Sequence, residues 1–194
     1  PRHRGYLQAD PLRIAHWRDQ LAAIGPGLKV GISWRGGTFK TRSPLRSIPL
    51  AAWGHVLAVR DVRFVDMQYT DCGDEIAQAE RDWGVRIHRW RDAHADLDET
   101  AALLGALDLV ISVCTAVIHL GGALGRPVWV LAPFSPEWRY GIRGAMPWYP
   151  SVRMFRQPAY GLWEPVLDDV AQSLRELAES PCASQTRAAG QESN

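Results

Sequence analysis

LVISVCTAVIHLGGALGRPVWVL, residues 109–131, decides the fold of this chain. A continuous apolar run breaks at Cys114-Thr115, a segment with His119 and several glycines follows, and a second apolar run begins after Pro127. The first run is rich in Val, Ile and Leu and is too short for a helix that packs alone, which is typical of a parallel strand buried on both faces. The stretch therefore predicts a strand, a helix and a second strand.

The junction between the first strand and the helix is a candidate anion site. A strand that leads directly into a helix leaves the first helical amides unpaired at the carboxyl edge of the sheet, where the amides and the helix dipole favour negative charge. Open α/β sheets bind ligands at that edge. Thr115 can cap the helix, and His119 lies one turn deeper on the same face, so both could face one bound phosphate.

Composition bounds the class of protein. The chain has 194 residues, of which 46% are hydrophobic, which suits one soluble globular domain with a substantial core. Lys plus Arg number 22 against 21 for Asp plus Glu, so the net charge of +1 gives no global field for nucleic acid or an anionic membrane. Any anion site must therefore be local.

The three cysteines and the short apolar runs indicate where in the cell the protein works. Cys72, Cys114 and Cys182 form neither a close pair nor a metal-ligand cluster, so we expect no disulfide framework, no metal site and a reducing cytoplasm. No apolar run approaches the roughly 20 residues that span a bilayer, and the basic start PRHRGYLQAD is not a signal peptide. The chain opens without Met, so we expect a fragment of a longer protein.

Strand and helix patterns alternate along the rest of the chain. Periodicity and end signals predict helices at 10–25, 48–60, 74–84, 98–107 and 163–180, and strands at 28–34, 62–68, 85–90 and 152–155. The long polar segment 35–47 and the Pro-, Gly- and aromatic-rich segment 133–151 are predicted loops. This alternation predicts a Rossmann-like doubly wound parallel sheet, class α/β, over residues 1–180. The small polar residues of 181–194 predict a disordered tail.

The usual nucleotide fingerprints are missing after the first strand. The sequence there is W-R-G-G-T-F, which is neither G-x-G-x-x-G nor G-x-x-x-x-G-K-[ST], so a dinucleotide oxidoreductase or a Walker ATPase is disfavoured. A Gly-Gly turn, the basic residues Lys40, Arg42 and Arg46, and the helix amides after Cys114 remain. Together these groups could hold a diphosphate without a metal ion.

Several segments carry a resemblance to a known family. They are VGISWRGG, RSIPL, FVDMQY, ALDLVISVCTAVIHLGGALGRPVWVL and EWRYGIRGAMPWYPSVRMFRQ. Over about residues 6–177 the chain resembles the C-terminal half of bacterial glycosyltransferases that often follow tetratricopeptide repeats. Those proteins are similar to the heptosyltransferase family and, more distantly, to O-linked N-acetylglucosamine transferases. The resemblance implies one half of a GT-B fold, the half that binds a nucleotide-diphosphate-sugar.

The resemblance also implies roles for individual residues. The amides near Thr115 and Ala116 would bind the diphosphate, with Cys114 beside them and His119 close by. Three residues of the first loop would approach the diphosphate: Gly36, Gly37 and Arg46. Gln68, at the end of the second strand, would lie near the base or the ribose. His119 and Arg46 are the candidate catalytic residues, and neither a metal nor another cofactor is expected.

The sequence departs from the family at Cys114. Family members usually have Asp there, S-V-D-T where this chain has S-V-C-T. A carboxylate would accept hydrogen bonds from sugar hydroxyls, whereas a thiol is a weak donor and nearly apolar. Sugar recognition and turnover are therefore open. A second departure is Gly121-Gly122, where Ala-Gly is more usual, and close packing of the helix on the strand is the expected reason.

Each candidate also has an ordinary structural explanation. His119 could simply pack on the sheet with one nitrogen satisfied, Gln68 could only end a strand, and Arg46 could belong to a solvated loop. Trp138 could anchor the loop or stack on a sugar. Cys114 is not expected to be a nucleophile, because no base and orienting group are evident beyond His119.

Three hypotheses about function follow. The first is the donor-binding half of a metal-independent glycosyltransferase, whose acceptor glycan or protein and whose general base involve a missing N-terminal domain. This chain alone would then bind but hardly catalyse. The second is a non-catalytic binding or scaffold module, a degenerate relative of that family. The third is a Rossmann-like hydrolase or epimerase that acts on nucleotide-linked sugars.

Overall fold

A six-stranded parallel sheet forms the centre of the protein. The computed structural model describes residues 5–37, 43–94, 96–141 and 143–180. The strands are β1 (Leu28–Ser33), β2 (Val62–Asp66), β3 (Ile87–His88), β4 (Leu109–Val113), β5 (Val128–Ala132) and β6 (Val152–Arg156). Their order is β3-β2-β1-β4-β5-β6, and every neighbouring pair is parallel. The predicted Rossmann-like doubly wound sheet is confirmed.

Helices cover both faces of the sheet. They are α1 (Pro11–Ala23), α2 (Ser43–Arg46), α3 (Gly54–Leu57), α4 (Gly73–Trp83), α5 (Leu97–Ala106), α6 (Ala116–Ala123) and α7 (Glu164–Glu179). Apolar side chains of α3, α4 and α7 pack on one face, and those of α1, α5 and α6 pack on the other. Because successive strand residues point to opposite faces, neighbours such as Val110 and Ile111 enter different cores, and both are fully buried.

Two predicted helix ends are confirmed. The Asp10 side chain accepts a hydrogen bond of 2.8 Å from the Leu12 amide and caps α1. Gly84 follows α4 with φ of 61°, the left-handed conformation that glycine adopts most easily at a helix end.

Other segments differ from the prediction. The third strand is only Ile87–His88 rather than 85–90, because the Ile87 amide donates to the Glu80 carboxylate (2.9 Å) and a 3₁₀ turn follows at Arg91–His94. The helix expected at 48–60 is a 3₁₀ turn, Leu50–Trp53, followed by the short α3.

The predicted loops contain short helical turns. The first loop includes α2, and the segment 133–151 includes a 3₁₀ turn at Trp138–Tyr140. Lys40, Arg42 and the tail 181–194 lie outside the described residues, so the expectations for them stay predictions.

Within the described residues, the last strand, β6, pairs only with β5. Arg153 of β6 lies over two aromatic rings, with its guanidinium carbon 5.4 Å from the Trp129 ring centre and 4.4 Å from that of Phe155. Cation–π attraction therefore holds an exposed positive charge on this edge strand.

Candidate functional site at the carboxyl edge of the sheet

The candidate site lies where the strand order reverses. β1 and β4 are neighbours in the sheet, but the chain leaves β1 toward β2 and leaves β4 toward β5, which makes the pair the topological switch point. Ser33 and Ser112 are paired residues at the carboxyl ends of these strands. The loop after β1 and the start of α6 therefore meet at this edge.

Gly36 brings the first loop against the start of α6. A Cβ atom at Gly36 would lie 2.9 Å from the Cys114 carbonyl oxygen and 2.9 Å from Thr115 Cγ2, so a larger residue would force the two segments apart. The Gly36 amide donates to Ser47 Oγ at 3.2 Å. Gly37 has φ of 80°, which favours glycine. The glycine pair thus lies beside Cys114 and Thr115.

Thr115 occupies the N-cap position of α6, but its side chain does not cap the helix. Its hydroxyl instead lies 3.0 Å from Ser112 Oγ. Ser112 donates its own proton to the Val113 carbonyl at 2.7 Å, so Thr115 is the donor of the pair. The prediction of side-chain capping by Thr115 is wrong, because its hydroxyl donates to Ser112 Oγ instead of accepting from a helix amide. The first-turn amides, beginning at the exposed Ala116, therefore lack that cap.

Cys114 is buried beneath the first loop, with 3% of its surface exposed. Burial raises the pKa of its thiol to about 12, against a lowering influence from Tyr140 and Arg46. The thiol is therefore protonated at neutral pH. A protonated, inaccessible thiol is a poor nucleophile.

Arg46 connects two loops at this edge. Its Nε donates to the Gly36 carbonyl at 3.2 Å, and its Nη1 lies 2.9 Å from Glu137 Oε1. Arg139 also pairs with the Glu137 carboxylate. Two guanidinium groups thus share one carboxylate, which leaves the cluster with net positive charge beside the glycine pair.

His119 lies between two tyrosines. Its Nε2 is 3.1 Å from the Tyr140 hydroxyl and its Nδ1 is 3.3 Å from the Tyr149 hydroxyl. Burial, and then the charge of Arg139, lower the pKa of His119, so the neutral imidazole is favoured. Burial raises the pKa of Tyr149 to about 12 and raises that of Tyr140 as well, so both hydroxyls keep their protons. One tyrosine donates to the imidazole and the other accepts from it.

Gln68 is fully buried at the end of β2 and holds the first loop. Its Oε1 accepts from the Arg35 amide (3.1 Å) and from Ser33 Oγ (3.3 Å). Its Nε2 donates to the Arg35 carbonyl (3.0 Å) and to Thr70 Oγ1 (3.2 Å). These four bonds use the whole hydrogen-bonding capacity of the amide. The contact with a base or ribose stays a prediction.

Asp66, which the sequence reasoning did not select, is a buried carboxylate at the end of β2, two residues before Gln68. It accepts from the Gln68 amide (2.7 Å), pairs with Arg89 Nε (3.1 Å) and faces the thiol of Cys72 (3.5 Å). Burial raises its pKa, partly offset by these partners. An acidic residue directly after the apolar pair Phe64-Val65 was the signal available in the sequence.

The structure brings Gly36, Gly37, Arg46, Cys114, Thr115 and Ala116 together at one edge. The sequence reasoning missed Tyr140, Tyr149 and Glu137 as partners of the site. Their signal was the aromatic, charged segment 137–149 after β5. No group of three or more His, Cys, Asp or Glu side chains that could hold a metal ion occurs in the described ranges. No helix in these ranges is both long enough and apolar enough to cross a bilayer.

One known protein is similar to this chain in sequence. No protein-family model matches the chain. Protein FlbA of Caulobacter vibrioides (strain ATCC 19089 / CIP 103742 / CB 15) is 44% identical over 184 residues, which are 93% of this chain and 30% of FlbA. The chain thus spans less than a third of the length of that relative.

Three solved structures with a similar fold are glycosyltransferases. The ADP-heptose lps heptosyltransferase II of E. coli has a TM-score of 0.60 and 16% identity, over 90% of this chain and 54% of that one. E. coli heptosyltransferase WaaC, solved with ADP, has a TM-score of 0.56 and 18% identity, over 78% and 44%. The glycosyl transferase family 9 protein of Veillonella parvula DSM 2008 has a TM-score of 0.55 and 12% identity, over 96% and 52%. The chain therefore has the fold of one Rossmann-like half of a GT-B protein and spans about half of those chains.

Proposed function

We propose that this chain is the donor-binding half of a metal-independent glycosyltransferase that uses a nucleotide-diphosphate-sugar. The observation that carries the proposal is the open first turn of α6 at the switch point. Thr115 does not cap it with its side chain, and the glycine pair allows the first loop to approach it closely. Unpaired amides at a helix N-terminus suit a diphosphate. E. coli heptosyltransferase WaaC has been solved with ADP and with an ADP-heptose analogue.

The chemistry asked of the site is stabilisation of a leaving group. When the anomeric bond breaks, the diphosphate gains negative charge, and preorganised donors that face this charge lower the barrier. In this proposal the first-turn amides of α6 and the net positive cluster of Arg46, Arg139 and Glu137 would do so. His119, held neutral between two tyrosines, would donate to the same anion through one ring nitrogen after a change of partner.

The general base and the acceptor domain belong to the rest of the protein in this proposal. The chain spans 30% of FlbA and 44–54% of the three glycosyltransferases compared above, so other segments have room to supply the general base and bind the acceptor. Tetratricopeptide repeats would accompany this half, and the protein would work in the cytoplasm. The buried free thiols Cys72 and Cys114 agree with a reducing compartment.

A second function is favoured by one observation, the identity of Cys114. If catalysis needs a carboxylate at that position, as the family resemblance implies, a buried thiol with a pKa of about 12 does not replace it. The chain would then be a binding module without transfer activity. Nucleotide binding alone does not separate the two functions, but turnover by the full-length protein does.

The test removes one amide of the first turn and leaves the helix intact. Proline is tolerated at the first position of a helix, which Ala116 occupies in α6. The residue before a proline must be extended, and Thr115 already is (φ −130°, ψ 175°). Ala116→Pro should therefore fold normally and weaken binding of UDP, GDP or ADP roughly tenfold, the effect of one charge-assisted hydrogen bond. Titration calorimetry in EDTA measures this. Wild type should gain roughly 2.7 kcal/mol of stability at 100 times the dissociation constant.

The matched control is Leu97→Pro. Leu97 is the exposed first residue of α5, and Asp96 before it is likewise extended (φ −133°, ψ 138°). We expect nucleotide binding by this variant to equal that of wild type. The proposed function is overturned if no nucleoside diphosphate or its sugar binds the wild-type chain. The site is overturned if both proline variants bind as wild type does.

A further inference from the structure

Two tryptophans form an exposed corner on the loop after β5. Trp138 is 79% exposed and Trp148 is 49% exposed. Their ring centres are 6.1 Å apart, and their planes meet at 80°. We call Trp138 and Trp148 the tryptophan corner. Large exposed aromatic surfaces of this kind mark binding sites more often than scattered single residues do.

The loop that carries the corner is fixed by hydrogen bonds. Trp148 Nε1 donates to the Arg139 carbonyl at 3.0 Å. Arg156 at the end of β6 donates to the carbonyls of Tyr140 (2.8 Å) and Gly141 (3.0 Å). These bonds fix the backbone at residues 139–141 before any ligand arrives, so little conformational entropy is lost there on binding.

The same loop is joined to the candidate donor site. Trp138 and Tyr140 belong to one 3₁₀ turn, in which Trp138 faces solvent and Tyr140 is buried against His119 (3.1 Å). Glu137, directly before that turn, pairs with Arg46 at 2.9 Å. The tryptophan corner is therefore held in a fixed relation to the edge where we place the diphosphate.

We propose that the tryptophan corner binds a sugar ring of the acceptor glycan. The C–H groups on one face of a pyranose carry slight positive charge and pack on the negative face of an indole ring. Glu137 and Arg139 flank Trp138 in the chain, so the bound sugar would lie next to the charged cluster that we assign to the diphosphate. This inference rests on the proposed function and names the substrate class of its acceptor.

The test uses defined glycans and a substitution outside the donor site. Chitotetraose, maltotetraose and cellotetraose are titrated against the chain by saturation-transfer NMR and by tryptophan fluorescence. We expect at least one glycan to bind, Trp138→Ala to weaken its binding about fivefold or more, and Trp138→Tyr to restore part of the loss. Because Trp138 is mostly exposed, Trp138→Ala should leave the fold intact. Binding of the nucleoside diphosphate and of its sugar should be unchanged in Trp138→Ala.

The control is Tyr160→Ala, in a second exposed aromatic pair at the same edge of the sheet (Phe134 and Tyr160, ring centres 4.9 Å apart). Glycan binding should be unchanged in this variant. The proposal is overturned if none of the three glycans binds, or if Trp138→Ala and Tyr160→Ala weaken binding equally. Loss of nucleotide-sugar binding in Trp138→Ala would also overturn it, because the corner would then belong to the donor. Absence of nucleotide binding in wild type is a separate result, which overturns the proposed function.

Discussion

Gly36 determines how closely the two sides of the candidate site approach. The space beside its Cα is occupied by the Cys114 carbonyl and the Thr115 methyl group, so the absence of a side chain allows the first loop to lie on the start of α6. The neighbouring Arg46 then reaches the Gly36 carbonyl and Glu137 from one position. A single small residue thus sets the geometry of several contacts.

Gly36→Ala should lower the free energy of unfolding by roughly 1–3 kcal/mol, because the new methyl group would lie 2.9 Å from two atoms that cannot both move away. Chemical denaturation measures the loss. Gly73→Ala is the matched control: a Cβ there would meet atoms no closer than 3.6 Å at the start of α4, and alanine favours helix, so stability should be unchanged or raised by up to about 1 kcal/mol. Equal stability of Gly36→Ala and wild type would contradict the packing argument.

Residues next to strand ends could be predicted from the sequence, whereas their partners could not. Gly36, Thr115 and Ala116 follow directly from the ends of two apolar runs. Glu137 is 91 residues from Arg46 in sequence, and only the fold makes them partners. The hydroxyl of Thr115 was assigned to the helix because local rules favour capping, but Ser112, three residues earlier, competes for it in the folded chain.

At the scale of elements, α6 joins the sheet to the candidate site. A Cβ at Gly121 would lie 2.8 Å from Val128 Cγ2, and one at Gly122 would lie 2.4 Å from the Tyr149 ring, so the two glycines let the helix lie close to β5 and to the following loop. The expected reason, close packing of the helix on the strand, is confirmed for Gly121, whereas Gly122 packs on the loop. His119, on the same helix, lies where the tyrosines of that loop can reach it.

His119 should make stability fall as the pH falls. Its pKa in the folded chain lies below the unfolded value of about 6.5, so below that pH the unfolded chain binds a proton that the folded chain resists. We expect wild type to lose more stability than His119→Gln between pH 7.5 and pH 5. Denaturant unfolding of both proteins across this range measures the difference, in which the contribution of His88, whose pKa is also lowered, cancels. Parallel stability curves would show that His119 does not contribute.

Strongly periodic elements were predicted best, and short turns were missed. The unit of β4, α6 and β5 was predicted because apolar runs of strand length are separated by a change of pattern. The 3₁₀ turn at Trp138–Tyr140 has no periodicity of its own and forms where the Tyr140 ring is buried against His119. The third strand was predicted too long because its pattern continues past the point where the backbone stops pairing.

For the whole molecule, two hydrophobic cores share one sheet. Ile111 lies in the core beneath α3, α4 and α7, and Leu103 of α5 lies in the opposite core. Both side chains are almost fully buried. Because β2, β4, β5 and β6 each contribute side chains to both cores, the loss of one core removes support from the other.

Ile111→Ala and Leu103→Ala should each lower the free energy of unfolding by about 2–5 kcal/mol, since both leave a cavity in a packed core. Each variant should keep a single unfolding transition, with near-ultraviolet and far-ultraviolet circular dichroism changing together. Two separate transitions in either variant would indicate that the cores unfold independently.

The guanidinium of Arg153 has a consequence for behaviour at high concentration. An unpaired outer strand is a template onto which a second molecule can add by backbone hydrogen bonding, the first step of fibril growth. Each approaching copy would bring its own Arg153 guanidinium close to the one that lies over Trp129 and Phe155. Stacking of molecules edge to edge through β6 is thereby opposed by electrostatic repulsion.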